Sequence, residues 1–229
     1  MPTFGIIGEG VTDQAVIKNI LVGYFDEGAF VTAIQPPEQI AGEGPQPGGW
    51  GLVFRSLQAG RHKEALQNND YVVIHIDTDV SEQKGYDVPW REGGDELSPE
   101  ALASRVTEKL QVLIGADFYA AHRDQFIFAI AVHAIECWLL PLHTHDNRAK
   151  KTTGCLEAVN HALIGKKICL TRGRDGEGKD PRAYREASRD FTKRGRLLQV
   201  RDKNPSLGLF VRQLDAIIPP KPANSTRAS

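Results

Sequence analysis

The chain has 229 residues, of which 41% are hydrophobic and 25% are charged, and its formal net charge is -1. This balance is typical of a globular protein with one sizeable domain, alone or with a small appendage, and it excludes disordered and membrane-spanning classes. No apolar run reaches the roughly 18 residues that a membrane span needs, and the N-terminal sequence lacks a signal-peptide pattern. The three cysteines have no metal-ligand spacing, so we expect reduced thiols and a cytoplasmic location.

The small net charge hides an asymmetry along the chain. Residues 1–165 contain 12 Lys and Arg against 22 Asp and Glu, a balance of −10. Residues 166–229 contain 16 Lys and Arg against 7 Asp and Glu, a balance of +9. We expect carboxylates that hold cations in the acidic body and a cationic surface that holds a polyanion in the basic C-terminal part.

The N-terminal elements alternate between strand and helix patterns. Thr12 is placed to cap the first helix, which follows a tight Gly8-Glu9-Gly10 turn. The pattern predicts, in chain order, a buried strand over Phe4–Ile7, a helix to about Tyr24, a strand over Phe30–Ile34, a Pro- and Gly-rich loop over 36–49, and one or two helices over Trp50–Leu66.

The middle of the chain continues this alternation. The segment Tyr71–Ile76 is apolar on both faces and rich in β-branched residues, as in a central parallel strand. After it we predict a polar loop over 77–97, a helix from Ser98 to about Ile114, a strand over Phe126–Val132 and a helix that ends near Pro141. Such alternation indicates an α/β fold with a doubly wound, mainly parallel sheet flanked by helices.

The remainder of the chain is predicted to be helical and basic. We expect helices over Leu156–Ile164, Pro181–Phe191 and about Ser206–Ile217, followed by a disordered tail. The predicted organisation is therefore a metal-binding domain over 1–150, a basic helical extension over 151–218 and a tail over 219–229.

Acidic residues follow three of the predicted strands. Glu9 follows the first strand, Asp77 and Asp79 follow the strand at Tyr71–Ile76, and Glu136 follows the strand at Phe126–Val132. The carboxyl ends of parallel strands meet at one edge of a sheet, so we expect these acids to converge there. Asp77 and Asp79 share a face if the strand continues through them.

A helical turn beyond Glu9, Asp13 is expected to join the same cluster. Several carboxylates at close range need a compensating cation, and hard oxygen ligands suit Mg²⁺ or Mn²⁺. Two such ions can activate water and stabilise the leaving oxygen of a phosphodiester. The alternatives are that Glu9, Asp77 and Asp79 are turn residues, that Asp13 is a first-turn acid favoured by the helix dipole, and that Glu136 forms a salt bridge.

Two segments at these acids carry a family resemblance. The pieces strand–Gly8-Glu9-Gly10-Val11-Thr12-Asp13 and strand–Asp77-Thr78-Asp79 resemble the Toprim superfamily, the catalytic domain shared by topoisomerases and primases. Ile135-Glu136-Cys137-Trp138 and Asn204-Pro205-Ser206 are similar to later motifs of small bacterial Toprim-like nucleases of the overcoming-lysogenisation-defect and phage-defence type. One departure is that the glycine expected soon after the second motif comes only at Gly85.

The resemblance implies a Toprim-like, Mg²⁺-dependent nuclease with Glu9, Asp77 and Asp79 as catalytic residues. It implies a metal set of Glu9, Asp13, Asp77, Asp79 and Glu136, and a role in defence against phage. We further expect nucleic acid as substrate, an ATPase or other regulator as activating partner, a homodimeric assembly and no membrane association.

The stretch Lys166–Lys203 contains thirteen Lys and Arg against six acids, with Tyr184 and Phe191 interleaved. Basic residues with occasional aromatics suit a phosphate track with room for base stacking, although a solvated amphipathic helix has the same pattern. Toprim-type nucleases often use a lysine near the scissile phosphate, and Lys179 and Lys203 both qualify. The expected nucleic-acid-binding residues are Arg172, Arg174, Lys179, Arg182, Arg185, Arg189 and Lys203.

The same motifs allow functions other than a nuclease. An apolar strand that ends in Asp77-Thr78-Asp79 also begins haloacid-dehalogenase-like phosphatases, in which the first aspartate is the nucleophile, but Glu9 would then have no role. A Toprim-like scaffold that binds nucleic acid or a protein without cutting is a further alternative. We interpret His75 as a satisfied core or edge residue, and His143-Thr144-His145-Asp146 as a polar loop rather than a metal cluster.

Overall fold

The structure is a computed structural model that describes residues 1–26, 28–38, 47–171 and 179–217. The strands within these ranges are β1 Thr3–Ile7, β2 Phe30–Gln35, β3 Tyr71–Asp77, β4 Arg91–Glu92, β5 Asp95–Glu96 and β6 Phe126–Ala131. The α-helices are α1 Val11–Tyr24, α2 Trp50–Gln58, α3 Arg61–Asn68, α4 Pro99–Ile114, α5 Ala116–His122, α6 Glu136–His143, α7 Cys155–Leu163, α8 Pro181–Ala187, α9 Arg194–Val200 and α10 Pro205–Ile217. The predicted tail over 219–229 lies outside the described residues.

Four strands form one parallel sheet in the order β2-β1-β3-β6. From β1 the chain moves outward through α1 to β2, and it then returns to the other side of β1 to form β3 and β6. The strand order therefore reverses between β1 and β3, and ligands of open α/β sheets bind at such a point. The predicted α/β class and the parallel sheet flanked by helices are confirmed.

Helices cover both faces of the sheet because its strands are apolar on both sides. On one face, Phe4, Ile6 and Val73 pack with α1 and with α6 to α10 in one buried cluster. On the other face, Ile7 and Ile74 pack with side chains of α2, α3 and α4. The boundary proposed at residue 150 stays a prediction, although helices from both sides of it share the first cluster.

Local sequence signals set most helix boundaries. Ser98 Oγ accepts a hydrogen bond from the Ala101 backbone N–H at 3.2 Å, and Gly115 ends α4 with a φ of 96°. The N-cap of α1 is Gly10, so the expectation that Thr12 caps this helix is wrong. Thr12 lies within the first turn, where its hydroxyl donates to Asp13 Oδ1 at 3.2 Å.

The motif Asn204-Pro205-Ser206 fixes α10 against α6. Asn204 Oδ1 accepts hydrogen bonds from the Leu207 backbone N–H and from Ser206 Oγ, both at 3.1 Å. Ser206 Oγ in turn accepts from Trp138 Nε1 at 2.8 Å. The motif therefore acts in packing, next to the helix that begins with Glu136.

The cysteines differ from the expectation of reduced thiols. Cys137 in the first turn of α6 and Cys155 at the start of α7 form a disulfide. A separation of 18 residues in sequence carried no signal for this pairing, because the two helices are brought together only by the fold. Within the described part of the chain, no helix is long and apolar enough to cross a membrane.

Candidate active site

The carboxyl ends of β1 and β3 bring Glu9 and Asp77 into contact. The Asp77 backbone N–H donates a 2.8 Å hydrogen bond to Glu9 Oε1. Asp77 Oδ1 accepts a hydrogen bond from the Ile135 backbone N–H at 3.0 Å, which comes from the turn between β6 and α6. Two neighbouring strands and the start of a helix therefore fix this carboxylate pair at the point where the strand order reverses.

A glycine segment supports Glu9 from the other side. The Glu9 carbonyl accepts a hydrogen bond from the Gly49 N–H at 2.8 Å. A Cβ atom at Gly48 would lie 2.4 Å from the same carbonyl oxygen, so only glycine allows this approach. Gly48 and Gly49, directly before α2, thus help to hold Glu9, which the sequence did not reveal.

A buried histidine lies directly below the carboxylates. His75 is fully buried, and its Nδ1 is 2.7 Å from the Ala129 carbonyl, which can only accept, so Nδ1 carries a proton. Its Nε2 is 3.4 Å from Asp77 Oδ1 and 3.9 Å from Asp13 Oδ2. Burial lowers the pKa of His75, but Asp77, Asp13 and Glu9 outweigh burial and raise this pKa to about 9. His75 is therefore a core residue, as predicted, but its Nε2 faces the site acids and is not satisfied by a hydrogen bond.

The acids of this cluster hold more negative charge than their surroundings compensate. Burial and the nearby charge of Asp77 raise the pKa of Glu9 to about 8. Burial also raises the pKa of Asp77 to about 7, against the lowering effect of His75. The pKa of Asp13 is raised as well, mainly because this side chain is buried. Carboxylates at the carboxyl end of a sheet with raised pKa values are typical of functional sites.

Glu136 belongs to a second, differently balanced cluster. Its carboxylate is 2% exposed and lies 2.8 Å from Lys179 Nζ, and it accepts a short hydrogen bond from the Tyr184 hydroxyl. Burial raises the pKa of Glu136, but Lys179 and Tyr184 lower it further, so the net shift is downward. The structure thus shows the salt bridge that the sequence left open, and a metal-ligand role for Glu136 stays a prediction.

Asp79 occupies a more open position than Asp77. The strand β3 ends at Asp77, and Asp79 lies in the following turn, where its backbone N–H donates to the His133 carbonyl at 3.0 Å. Strand alternation therefore does not extend to Asp79, and its side chain is exposed. Burial nevertheless raises its pKa, and Lys179 lowers it, so Asp79 lies within electrostatic reach of the second cluster.

The predicted nucleic-acid-binding residues separate into three groups. Lys179 is part of the site, and Arg182, Arg185 and Arg189 are exposed on α8 and the turn after it. Lys203 is half-buried in a turn before α10, and no ion pair joins it to a site acid within the described ranges. Arg172 and Arg174 lie outside the described residues.

The aromatic residues of the basic stretch do not face solvent. Tyr184 and Phe191 are fully buried, so the expectation that they stack with bases is wrong. His143 is the last residue of α6, and its Nε2 donates to the Ala187 carbonyl at 2.8 Å. Asp146, after the helix, accepts from the Arg148 N–H at 2.9 Å. The predicted polar loop therefore begins after His143, which itself belongs to the helix.

The donor chemistry of the first cluster fits a divalent cation. No group of three or more His, Cys, Asp or Glu side chains in the described ranges is arranged so that it could hold a metal ion by itself. Mg²⁺, however, is usually held by one or two carboxylates together with waters and substrate phosphates. Glu9 and Asp77 supply such a pair, and their pKa values are raised mainly because burial disfavours the charged carboxylates, a cost that a bound cation would offset.

Comparison of the chain with protein-family models, curated proteins and solved structures finds no match. The resemblance to Toprim nucleases therefore depends on the motifs around Glu9, Asp77 and Glu136, and the function has to be argued from the geometry of the site.

Proposed function

We propose that this protein is a Mg²⁺- or Mn²⁺-dependent nuclease that hydrolyses phosphodiester bonds in DNA or RNA. The observation that carries the proposal is the partly buried Glu9–Asp77 pair at the ends of β1 and β3, within electrostatic reach of a lysine that Glu136 holds. The first cluster suits a metal ion, and the lysine suits a phosphate. The Toprim motifs point to the same chemistry.

Glu9 and Asp77 would hold the metal, and Asp13 and Asp79 are the further carboxylates proposed for a second ion. When bound, the cation lowers the pKa of a water molecule and stabilises the charge on the leaving oxygen. The protein fixes the ligands beforehand: Asp77 through the Ile135 N–H, and Glu9 through the Asp77 N–H. His75 lies below both and limits the repulsion between them.

Lys179 is the better candidate for the phosphate-binding lysine. Its side chain is 45% exposed, yet the salt bridge to Glu136 holds its ammonium group, and Asp13 and Asp77 also raise its pKa. It is therefore charged, positioned near the metal site and open to solvent on one side. Lys203 has no such connection among the described residues.

The resemblance extends the proposal to a cytoplasmic effector of anti-phage defence, with an ATPase or other regulator that activates it and a homodimeric assembly. The role in defence, the activating partner and the homodimeric assembly do not depend on the chemistry of the site. A cleavage assay therefore tests the nuclease activity first.

The experiment incubates the wild type with plasmid, single-stranded DNA and bulk tRNA, in Mg²⁺, in Mn²⁺ and in EDTA. Asp77→Asn is the test variant. The matched control is Asp124→Asn, at an exposed carboxylate just before the amino end of β6, whereas the site lies at the carboxyl ends of the strands. We expect cleavage by the wild type and the control, and none by Asp77→Asn or in EDTA. Metal-independent cleavage, or equal cleavage by Asp77→Asn, would contradict the proposal.

The variant Glu9→Gln distinguishes a phosphatase from the proposed nuclease. This variant removes a metal ligand in the nuclease proposal but spares an Asp77 nucleophile. Hydrolysis of p-nitrophenyl phosphate that survives Glu9→Gln and is lost in Asp77→Asn would favour the phosphatase.

A further inference from the structure

The site lies between two surfaces of opposite charge. The first, here called the acidic loop, is residues 80–97. It contains five acids and two basic residues, a balance of −3; the acids are Glu82, Asp87, Glu92, Asp95 and Glu96. Tyr86 and Val88 anchor the loop in the core on the α2 and α4 face of the sheet. Glu92 pairs with Arg105 at 2.6 Å and Glu96 with Arg91 at 3.5 Å, and the side chains of the two glutamates remain 70% and 69% exposed to solvent.

The second surface, here called the basic segment, is residues 179–196. It contains seven basic residues and three acids, a balance of +4; the basic residues are Lys179, Arg182, Arg185, Arg189, Lys193, Arg194 and Arg196. Tyr184 and Ala187 bury the inner side of α8 on the α1 face of the sheet. Arg182, Arg185 and Arg189 consequently point outward, in a row that begins next to Lys179.

Both surfaces reach the site. The loop begins directly after Asp79, and Trp90 packs on the His133 ring with centroids 4.8 Å apart. The His133 carbonyl accepts a hydrogen bond from the Asp79 N–H. Burial lowers the pKa of His133, and the charge of Glu96 acts against this by raising it. The basic segment begins with Lys179, which contacts Glu136. The acidic loop is anchored on the α2 and α4 face and the basic segment on the α1 face, so the two surfaces belong to opposite sides of the sheet.

We propose that the site takes a single polynucleotide strand that enters over α8, and that the acidic loop repels the second strand of a duplex. This inference rests on the proposed nuclease function and names its substrate class. A duplex carries one phosphate charge per about 1.7 Å of axis, against about 3.4 Å for each strand. Its second backbone lies across a groove about 12 Å wide, so it would face the acidic loop when the first lies on Arg182 and Arg185.

The preference is electrostatic and therefore depends on salt. Exposed charges interact over about 30 Å at 0.01 M salt but only about 8 Å at 0.15 M. DNA and RNA single strands share the recognised chemistry, because the basic segment binds phosphates.

The test measures binding by fluorescence anisotropy in EDTA, so that no cleavage occurs. The probes are a labelled single-stranded DNA 20-mer, the RNA of the same sequence and the two corresponding duplexes. The loop variant is Glu92→Gln/Asp95→Asn/Glu96→Gln. The control with the same charge change is Glu64→Gln/Asp117→Asn/Asp124→Asn, at exposed carboxylates away from the loop.

We expect the wild type to bind single strands at least about fivefold more tightly than duplexes at low salt, and less selectively at 0.2 M. The loop variant should tighten duplex binding and bring the ratio below about twofold, whereas the control keeps the wild-type ratio. Arg182→Glu/Arg185→Glu should weaken single-strand binding and reduce the salt slope by about 1.4, for two lost phosphate contacts.

Equal or tighter duplex binding by the wild type would overturn the inference. So would a loop variant and a control that change the ratio alike. Since binding is measured without metal, a protein that prefers single strands but never cleaves would contradict the nuclease proposal and leave the strand preference standing.

Discussion

The two carboxylate clusters at the sheet edge differ in their charge balance: Glu9 and Asp77 are partly buried without a lysine or arginine partner in the described residues, whereas the buried Glu136 pairs with Lys179. In the first, Glu9 and Asp77 have raised pKa values even though His75 lies below them. In the second, Lys179 and Tyr184 contact Glu136 directly, and its pKa is lowered. Burial alone therefore does not identify a metal ligand. We propose that the first cluster holds the metal ion and that the second cluster positions a lysine.

The largest expected effect comes from breaking the first cluster. Asp77→Asn removes a ligand while it keeps the size of the side chain, and we expect cleavage to fall by at least about 100-fold. The rate is measured under single-turnover conditions at saturating Mn²⁺. A variant that retains more than a tenth of the wild-type rate would show that Asp77 is not a ligand.

The second cluster is tested through stability. Lys179→Ala leaves Glu136 buried without its cation, and we expect a loss of about 1–2 kcal/mol, less than for a fully buried pair because Lys179 is 45% exposed. Adding Glu136→Gln should recover most of this loss, since no charge is then left unpaired. Urea denaturation of the single variants and the double variant measures the coupling. Additive losses would mean that the salt bridge does not form.

The pH dependence of stability distinguishes the clusters further. The folded-state pKa values of Glu9, about 8, and Asp77, about 7, lie above their ordinary values of 4.5 and 3.8. These groups therefore stabilise the metal-free fold at low pH, and that contribution is lost as pH rises through 7 to 8. The pKa of His75 is likewise raised, to about 9, and its contribution is lost in the same direction.

We thus expect the metal-free protein to lose stability between pH 5 and pH 9, and Asp77→Asn to show a shallower decline. Urea midpoints across this range, in EDTA and in Mg²⁺, provide the measurement. Saturating Mg²⁺ should flatten the decline, because the cation replaces the protons. A midpoint that rises with pH in EDTA would be inconsistent with the raised pKa values.

The smallest effect is expected from Tyr184→Phe. This change removes the hydrogen bond to Glu136 but leaves Lys179 in place, so a loss of about 1 kcal/mol is expected. The mutation should change the urea midpoint and leave Mn²⁺ affinity unchanged. A fall in metal affinity would show that the two clusters are not separate.

The first cluster could be predicted from the sequence because it depends on patterns within short segments of the chain. Strands such as Tyr71–Ile76 are recognisable from their apolar pattern, and parallel strands end at one edge, so Glu9 and Asp77 had to meet. The parallel sheet and most helix boundaries followed from the same patterns. The prediction that Asp77 and Asp79 share a strand face assumed that the strand continues through both residues, but it ends at Asp77, two residues before Asp79.

The second cluster depends on contacts that the sequence does not encode locally. Glu136 and Lys179 belong to distant segments, and only the packing of α8 against α1 brings them together. The same packing turns Tyr184 inward, against the expectation from a basic and aromatic pattern. His75 was missed because a histidine inside an apolar strand has the same pattern whether it contacts acids or only backbone.

The most direct test of the central claim is calorimetric titration of Mn²⁺ into the wild type, Glu9→Gln, Asp77→Asn and Glu136→Gln. If Glu9 and Asp77 form the metal site, the wild type and Glu136→Gln bind Mn²⁺, and affinity falls at least about tenfold in Glu9→Gln and Asp77→Asn. Binding that is unchanged in these two variants, or that is lost only in Glu136→Gln, would contradict the account.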